Sequence, residues 1–265
     1  MKKALSFLLL SVLCLGLLAG CGAPSGESAA AKDTLIVGLD DTFCPMGFHD
    51  ESGELVGFDI DFANAVGEKI GMKVEFKPID WDAKEMELST GKIDCVWNGM
   101  SKTPEREETM ALSVPYLKNH IIIMTNDGVT VASKEDLKSL KIGTQVDSSA
   151  LECMQADPIY ADIQKNVTEY KSYDECIMDM QAGRLDCMVV DEVLGKYKND
   201  KLGNIFGVSS VDFGEDLYVV GFDKGNTALA DQVSAAMKAL AADGKAAELS
   251  QQWFGGDILA EELTK

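Results

Sequence analysis

The sequence predicts an α/β protein of two lobes, the second inserted into the first. Three observations carry this expectation. A strand, a helix and a second strand follow one another between residues 35 and 76, the opening of an α/β layer. Gly91-Lys92-Ile93-Asp94-Cys95 returns 92 residues later as Gly183-Arg184-Leu185-Asp186-Cys187, each copy after a helix-like segment and before an apolar strand. Apolar stretches near 117–123 and 217–221 provide a crossing and a return between the halves, and two crossing strands make a hinge. The expected division is 34–120 with 221–265 in lobe 1, and 121–220 in lobe 2.

Taken in order, Leu35-Ile36-Val37-Gly38 is a short apolar strand, followed by a loop to Gly47. Phe58, Phe62, Val66 and Ile70 step by four and form one helical stripe, closed by Gly71 as the C-terminal cap. Met72 to Phe76 alternates like a strand, and Ile93 to Trp97 is a buried strand. His120 to Met124 runs away from the first lobe. Ser133 caps a helix start, and Lys141-Ile142-Gly143 opens the second lobe. A helix over Ala150 to Met154 follows Ser148 and Ser149. Met188-Val189-Val190 is the strand of the second repeat, and Leu217 to Val220 is the return. Leu229, Val233, Met237 and Leu240 give a helix over 227–242, and a shorter one ends at Trp253-Phe254.

The first twenty residues read as an export signal. Lys2 and Lys3 precede an apolar run from Ala4 to Leu18, too short to span a bilayer comfortably, and Leu18-Ala19-Gly20-Cys21 is a small-residue cleavage site. These four residues resemble the bacterial lipobox, so Cys21 is the expected lipidation site; a plain secretory signal is the alternative. Residues 21–33 are small and polar and read as a flexible tether. Export leaves a protein anchored outside the cytoplasm by its lipid, with no second apolar run long enough to cross the membrane.

Loss of Lys2 and Lys3 takes the formal charge from −20 to −22. So acidic a chain offers no basic patch to nucleic acid and favours the approach of cations. Cys44, Cys95, Cys153, Cys176 and Cys187 remain in the mature chain, an odd number that cannot all pair internally. With two histidines and no C-x-x-C spacing, neither a metal site nor a cofactor is expected.

Two stretches carry anion chemistry. In Asn98-Gly99-Met100-Ser101-Lys102-Thr103-Pro104-Glu105-Arg106, a guanidinium stands five residues after a serine. A planar fork can take both oxygens of a carboxylate while hydroxyl and amide donors take the remaining lone pairs. The same residues are also an ordinary helix start, with Thr103 as N-cap and Pro104 in the first helical position. Gln145-Val146-Asp147-Ser148-Ser149 leads into a helix N-terminus, where free N–H groups favour an anion, although two capping serines need no ligand.

Several motifs recur in an order that resembles a known family. They are Val37-Gly38-Leu39-Asp40 with Phe43 and Pro45, and Leu55-Val56-Gly57-Phe58-Asp59-Ile60-Asp61. Gly91-Lys92-Ile93-Asp94 and Gly99-Met100-Ser101 with Thr103-Pro104-Glu105-Arg106 follow, then Gly183-Arg184-Leu185-Asp186 with Asp191, and Trp253-Phe254-Gly255. From Leu35 to Gly255 the chain resembles the polar amino-acid-binding lipoproteins and periplasmic proteins that feed ABC importers. That resemblance implies the two-lobed, type II periplasmic-binding-protein-like fold, closing over one free amino acid. It implies that Arg106 clamps the α-carboxylate with Ser101, Ser148 and Ser149, and that Asp191 receives the α-ammonium. Asn98 and Gly99 from the first anion stretch and Gln145 from the second complete the candidate ligand-binding set. Phe43 and Trp81 would sandwich the side chain, with Trp81, between two aspartates, expected to be exposed. Asp40 matches a position that accepts a hydrogen bond from a basic or amide side chain, pointing to arginine, lysine, histidine or glutamine. Two departures stand out: Asp147 replaces a glycine usual in relatives, and Cys44-Pro45-Met46-Gly47 replaces a more usual proline and aromatic pairing.

The expected partners are therefore a free amino acid, the permease subunits of an ABC importer and the membrane through the Cys21 lipid, with the protein a monomer and not an enzyme. Two alternatives remain at this level. A cyclohexadienyl-dehydratase-like enzyme uses the same fold, but a subsite lined by Asp40 and Asp191 suits its anionic substrate poorly. An amino-acid sensor module would need a second chain to signal.

Overall fold

The computed structural model describes residues 32–265; the signal segment, the Cys21 site and residues 21–31 of the tether lie outside them. The described residues form twelve strands and ten α-helices, interleaved through most of the chain. The first part contains β1 (Thr34–Leu39), β2 (Thr42–Phe43), β3 (Gly47–His49), β4 (Leu55–Val56), α1 (Phe58–Ile70), β5 (Lys73–Pro78), α2 (Lys84–Ser89), β6 (Cys95–Ser101), α3 (Pro104–Thr109) and β7 (Met110–Leu112). There follow β8 (Leu117–Thr125), β9 (Ile142–Gln145), α4 (Ser149–Ala156), α5 (Tyr160–Ile163), β10 (Val167–Tyr170), α6 (Tyr173–Gln181), β11 (Cys187–Asp191) and α7 (Glu192–Lys201). The chain returns through β12 (Gly207–Asp223) and ends in α8 (Thr227–Ala242), α9 (Lys245–Phe254) and α10 (Glu261–Thr264).

One nine-stranded sheet runs β10-β9-β11-β8-β12-β6-β1-β5, with β7 also paired to β12. The trio β5, β1, β6 is parallel, and so is β10, β9, β11. The long antiparallel pair of β8 and β12 joins them, with Tyr218 opposite Leu117 and Asp216 opposite Asn119. Each parallel trio is covered on both faces, as strands with near-continuous apolar sequence require. Along β6, Cys95 and Trp97 enter one core while Val96 and Met100 enter another. Along β11, Met188 and Val190 separate from Cys187 and Val189 in the same way. A period of two divides a buried strand between two cores.

The five-residue repeat has one mechanical meaning in both copies. Asp94 accepts the backbone N–H of Ile36 through Oδ2 at 2.7 Å and returns its own N–H to Ile36 O at 2.8 Å. Asp186 does the same to Lys141, at 2.7 and 2.9 Å. Ile93 and Leu185 fill the space that Gly38 and Gly143 leave open, each methyl only 2.5 Å from where a Cβ would stand. The repeat fastens each helix–strand return to the neighbouring strand of its lobe.

The helix ends follow their sequence signals. Gly71 closes α1 in the left-handed region, and α8 spans the expected residues. The strand expected over Ile93 to Trp97 instead begins at Cys95 and continues, wholly buried, through Asn98-Gly99-Met100-Ser101. Antiparallel pairing with β12, Tyr218 opposite Ser101 and Val219 opposite Met100, supplies the hydrogen bonds that a single-strand reading could not anticipate. Among the expected core thiols, Cys187 is buried and burial raises its pKa to about 12; Cys44, Cys153 and Cys176 are also free thiols. Cys95 is buried as expected.

Candidate ligand-binding crevice

The carboxyl ends of four parallel strands deliver side chains to one place. Asp40 follows β1, Ser101 ends β6, Gln145 ends β9 and Asp191 ends β11. In open α/β sheets, ligands bind outside these ends.

Arg106 belongs to α3, started by Thr103, whose Oγ1 accepts the Arg106 backbone N–H at 3.3 Å, and by Pro104 at the first position. The helix start and the guanidinium site are thus one device. Arg106 is 2% exposed. Its NH1 group donates to Ser101 O at 2.9 Å, and its NH2 group donates to Glu152 Oε1 of α4 at 2.8 Å. A charge this buried requires a partner, and the partner is a carboxylate from the opposite lobe. The guanidinium also lies 6.0 Å from the Trp81 ring centroid.

Further contacts cross between the lobes. Asp40 Oδ2 accepts from Gln145 Nε2 at 2.8 Å, while its Oδ1 accepts from the Thr42 hydroxyl and N–H at 2.6 and 2.9 Å. Asn98 Oδ1 accepts the Asp40 backbone N–H at 3.1 Å. Phe43 meets Tyr173 edge-on at 6.2 Å. The Trp81 indole N–H donates to Asp147 O at 3.0 Å, and Trp81 is only 8% exposed. This corrects the expectation of an exposed aromatic: Asp80 and Asp82 flank it in sequence, but its ring packs with Leu88, Ile93 and Val96 in a core of its own lobe, and the opposite lobe takes its indole N–H. Lys84, 1% exposed, pairs with the Asp147 carboxylate. Asp147 has a φ of 54°, the left-handed region that glycine tolerates best.

Asp191 lies in a polar chain. Its Oδ1 accepts from Asn119 Nδ2 at 2.8 Å and from the Tyr218 hydroxyl at 2.9 Å. Asn119 Nδ2 also donates to Asp216 Oδ2 at 2.9 Å, and the Ser101 hydroxyl donates to the same oxygen at 2.6 Å. Burial first, and then the neighbouring Asp216 charge, push Asp191 up to about 7; Tyr218 and Arg106 oppose them. Burial likewise raises Asp216. A cavity of about 550 Å³ at the hinge strands reaches Asn119 and Asp216 from the side of α10.

Gly99 has a φ of 58°, and a Cβ there would stand 3.0 Å from Phe43 and 3.1 Å from Met46 and Tyr218, so the residue is held to glycine by backbone and space together. Its N–H is fixed by Asp59 Oδ2 at 2.7 Å. Ser148 caps α4, accepting Leu151 N–H at 3.2 Å and donating to Gln145 O at 2.8 Å. Ser149 is the buried first residue of α4, and its hydroxyl joins no hydrogen bond among the described residues. Among the described residues, two buried polar atoms lack partners, Asn98 Nδ2 and the Tyr173 hydroxyl. Sequence reasoning did not single out Lys84, Asn119, Glu152, Tyr173, Asp216 or Tyr218. Glu152 shares a helix face with Ser148 and Ser149, and Asp216 and Tyr218 alternate on the return strand; those spacings were the available signals.

With this geometry in view, comparison with known proteins decides the family. The bacterial extracellular solute-binding proteins, family 3, match residues 35–256. The chain belongs to that family. The L-cystine-binding protein TcyJ of Escherichia coli K12 is 27% identical over 258 residues, 94% of this chain and 96% of that one. A solved ABC uptake transporter substrate binding protein from Streptococcus pneumoniae with bound histidine is 35% identical, with a TM-score of 0.83, covering 86% of this chain and 95% of its own. The ancestral amino acid-binding protein AncCDT-1, described as a precursor of cyclohexadienyl dehydratase, is 31% identical with a TM-score of 0.75, covering 84% and 96%. This family 3 solute-binding protein therefore has the type II periplasmic-binding-protein architecture and acts outside the cytoplasm. No helix among the described residues is long and apolar enough to cross a membrane.

Proposed function

We propose that this protein captures one free L-amino acid between its lobes and passes it to the permease subunits of an ABC importer. One observation carries the reading: a buried guanidinium of one lobe is satisfied by a carboxylate of the other, in the crevice that holds buried Asp191. Glu152 does to Arg106 what the α-carboxylate of a ligand would do. Asn119 donates to Asp191 as an α-ammonium would, and Gln145 donates to Asp40 as an amide or guanidinium side chain would. Each end of an amino acid thus has a complementary group, already placed and already desolvated.

In this reading Arg106, with the amides around Ser148 and Ser149, takes the carboxylate common to all amino acids. Asp191 takes the ammonium. Asp40, Phe43 and Trp81 read the side chain and favour a cationic or amide one; the histidine bound by the pneumococcal relative is of that kind. Lobe 1 comprises residues 34–120 and 221–265 and lobe 2 residues 121–220, turning on β8 and β12. Ligand contacts from both lobes lower the free energy of the closed state. Cys21 carries the lipid that holds the monomer at the membrane. The protein is not an enzyme; incubation with prephenate or arogenate is expected to give no turnover, although AncCDT-1 makes that assay worth running.

A thermal-shift panel of the twenty amino acids and L-cystine tests the reading. A ligand at a hundred times its Kd adds about 2.7 kcal/mol of stability by mass action, a rise of several degrees. A cationic or amide amino acid is expected to give the largest rise. No rise with any of them contradicts the proposal, and a rise confined to acidic or aliphatic amino acids contradicts the role of Asp40.

A further inference from the structure

Asn119 Nδ2 divides its two N–H bonds between Asp191 Oδ1 and Asp216 Oδ2, at 2.8 and 2.9 Å, so the two carboxylates stand one amide nitrogen apart. Their other side-chain donors are the neutral hydroxyls of Tyr218 and Ser101. Arg106 acts on both, but its NH2 group is committed to Glu152. Two anions this close require a cation or a proton between them. A second observation points to the same place. Tyr173 is 2% exposed, feels the charge of Asp191, and has a hydroxyl with no hydrogen-bond partner. Thr144 and Ser148 stand beside it, but Ser148 donates to Gln145 O and Thr144 to Val189 O.

We propose that Asp216 is the second carboxylate of an ammonium seat, in which the α-ammonium of the ligand lies between Asp191 and Asp216 and gives its third N–H to the Tyr173 hydroxyl. This rests on the amino-acid reading above. An ammonium has three donors and one positive charge, which matches two carboxylates and an unpartnered phenol oxygen. Ser101 is then fixed as well: its proton belongs to Asp216, so its oxygen faces the ligand as an acceptor.

The seat has a consequence for protons. Without ligand the pair retains one proton, because burial pushes both carboxyls up, Asp191 to about 7 with the neighbouring Asp216 charge adding to its rise. The remaining groups facing the pair do not supply it. Glu152 on α4 is paired with Arg106, and burial, with Asp216 next, keeps the Cys153 thiol protonated by raising it to about 11. Tyr173 from α6 and Tyr218 from β12 are both raised, by burial first, and stay protonated. An incoming ammonium displaces the shared proton, which leaves through half-buried Asp216 at the wall of the hinge cavity. Binding therefore releases about one proton near pH 7, and affinity rises with pH between about 6 and 8.

Titration calorimetry of the mature protein with the twenty L-amino acids and L-cystine, each at pH 7 in phosphate and in Tris, counts that proton from the dependence of the heat on buffer. The expected result for any amino acid that binds is release of about 0.5 to 1 proton, cut by at least half in Asp216→Asn, with affinity at pH 8 weakened about tenfold or more. Asp216→Ser serves if the asparagine variant fails to fold. Binding without proton release, or an Asp216 variant with unchanged proton count and affinity, overturns the seat and leaves the amino-acid reading intact. A panel in which nothing binds overturns both.

Discussion

Arg106 and Glu152 form an ion pair across the two lobes, with NH2 and Oε1 2.8 Å apart, and the guanidinium side is almost wholly buried. The pair makes Glu152 a tethered rival for the carboxylate that Arg106 is proposed to bind. Glu152→Gln keeps the shape and removes the charge. Amino-acid affinity is expected to tighten about threefold to tenfold, since roughly 1 kcal/mol of competing attraction is lost. Calorimetric titration reads this directly, and weaker binding would show that Glu152 assists the ligand instead.

Asp147 joins backbone strain to an interlobe tie. Its left-handed φ costs about 1 kcal/mol for a residue with a side chain, and its ion pair with Lys84 offsets that. Asp147→Gly removes both; Asp147→Ala keeps the strain and loses the pair. The melting temperature should therefore fall in the order wild type or Asp147→Gly, then Asp147→Ala, with alanine about 1 kcal/mol below glycine. An alanine variant as stable as glycine would exclude strain at this position.

Asp59 anchors the stretch that carries Ser101. It accepts from Gly99 N–H at 2.7 Å, Tyr116 hydroxyl at 3.0 Å and Trp97 indole N–H at 3.2 Å, and burial nonetheless raises it from 3.8 to about 7. A carboxyl with a higher pKa in the folded state keeps its proton there while the unfolded chain has lost it. Between about pH 4 and 7 the native state binds more protons, so stability falls as pH rises. Asp191 acts in the same direction. The urea midpoint should drop from pH 5 to pH 7.5, by up to a few kcal/mol in free energy. Asp59→Asn should be less stable at pH 5 but show a flatter decline. A midpoint in the wild type that climbs over this interval would contradict the assignment.

Gly99→Ala places a methyl against Phe43, Met46 and Tyr218 in a backbone conformation that resists it. A loss of about 2 kcal/mol or more is expected, from strain and overpacking together, measured by chemical unfolding. A neutral substitution would mean that the end of β6 relaxes easily and does not position Ser101 rigidly.

Much of the fold was legible because local signals and tertiary demands agreed. The α1 stripe, its Gly71 cap and the two glycine-to-aspartate repeats each state a contact that the chain makes near itself in space. Arg106 and Asp191 were singled out for another reason: Asp191 ends β11 and Arg106 stands in the helix that follows β6, and an α/β sheet gathers its chemistry at these strand ends. What stayed hidden depends on partners distant in sequence. Trp81 reads as exposed between aspartates until Asp147, 66 residues away, covers its indole nitrogen. Asp216 is an unremarked acid on a half-exposed strand until Asn119, 97 residues earlier, sets it beside Asp191. Glu152 looks like a solvent-facing helix residue until Arg106, 46 residues earlier in the sequence, meets it from the other lobe. No periodicity encodes pairings between lobes.

The proposal that Arg106 holds the α-carboxylate is tested most directly by calorimetric titration of wild type and Arg106→Ala with the amino acid that gives the largest thermal shift. Removing one side of a buried charge pair costs about 2–5 kcal/mol, so the variant should bind at least about thirtyfold more weakly. An unchanged Kd in a folded Arg106→Ala protein would contradict the account.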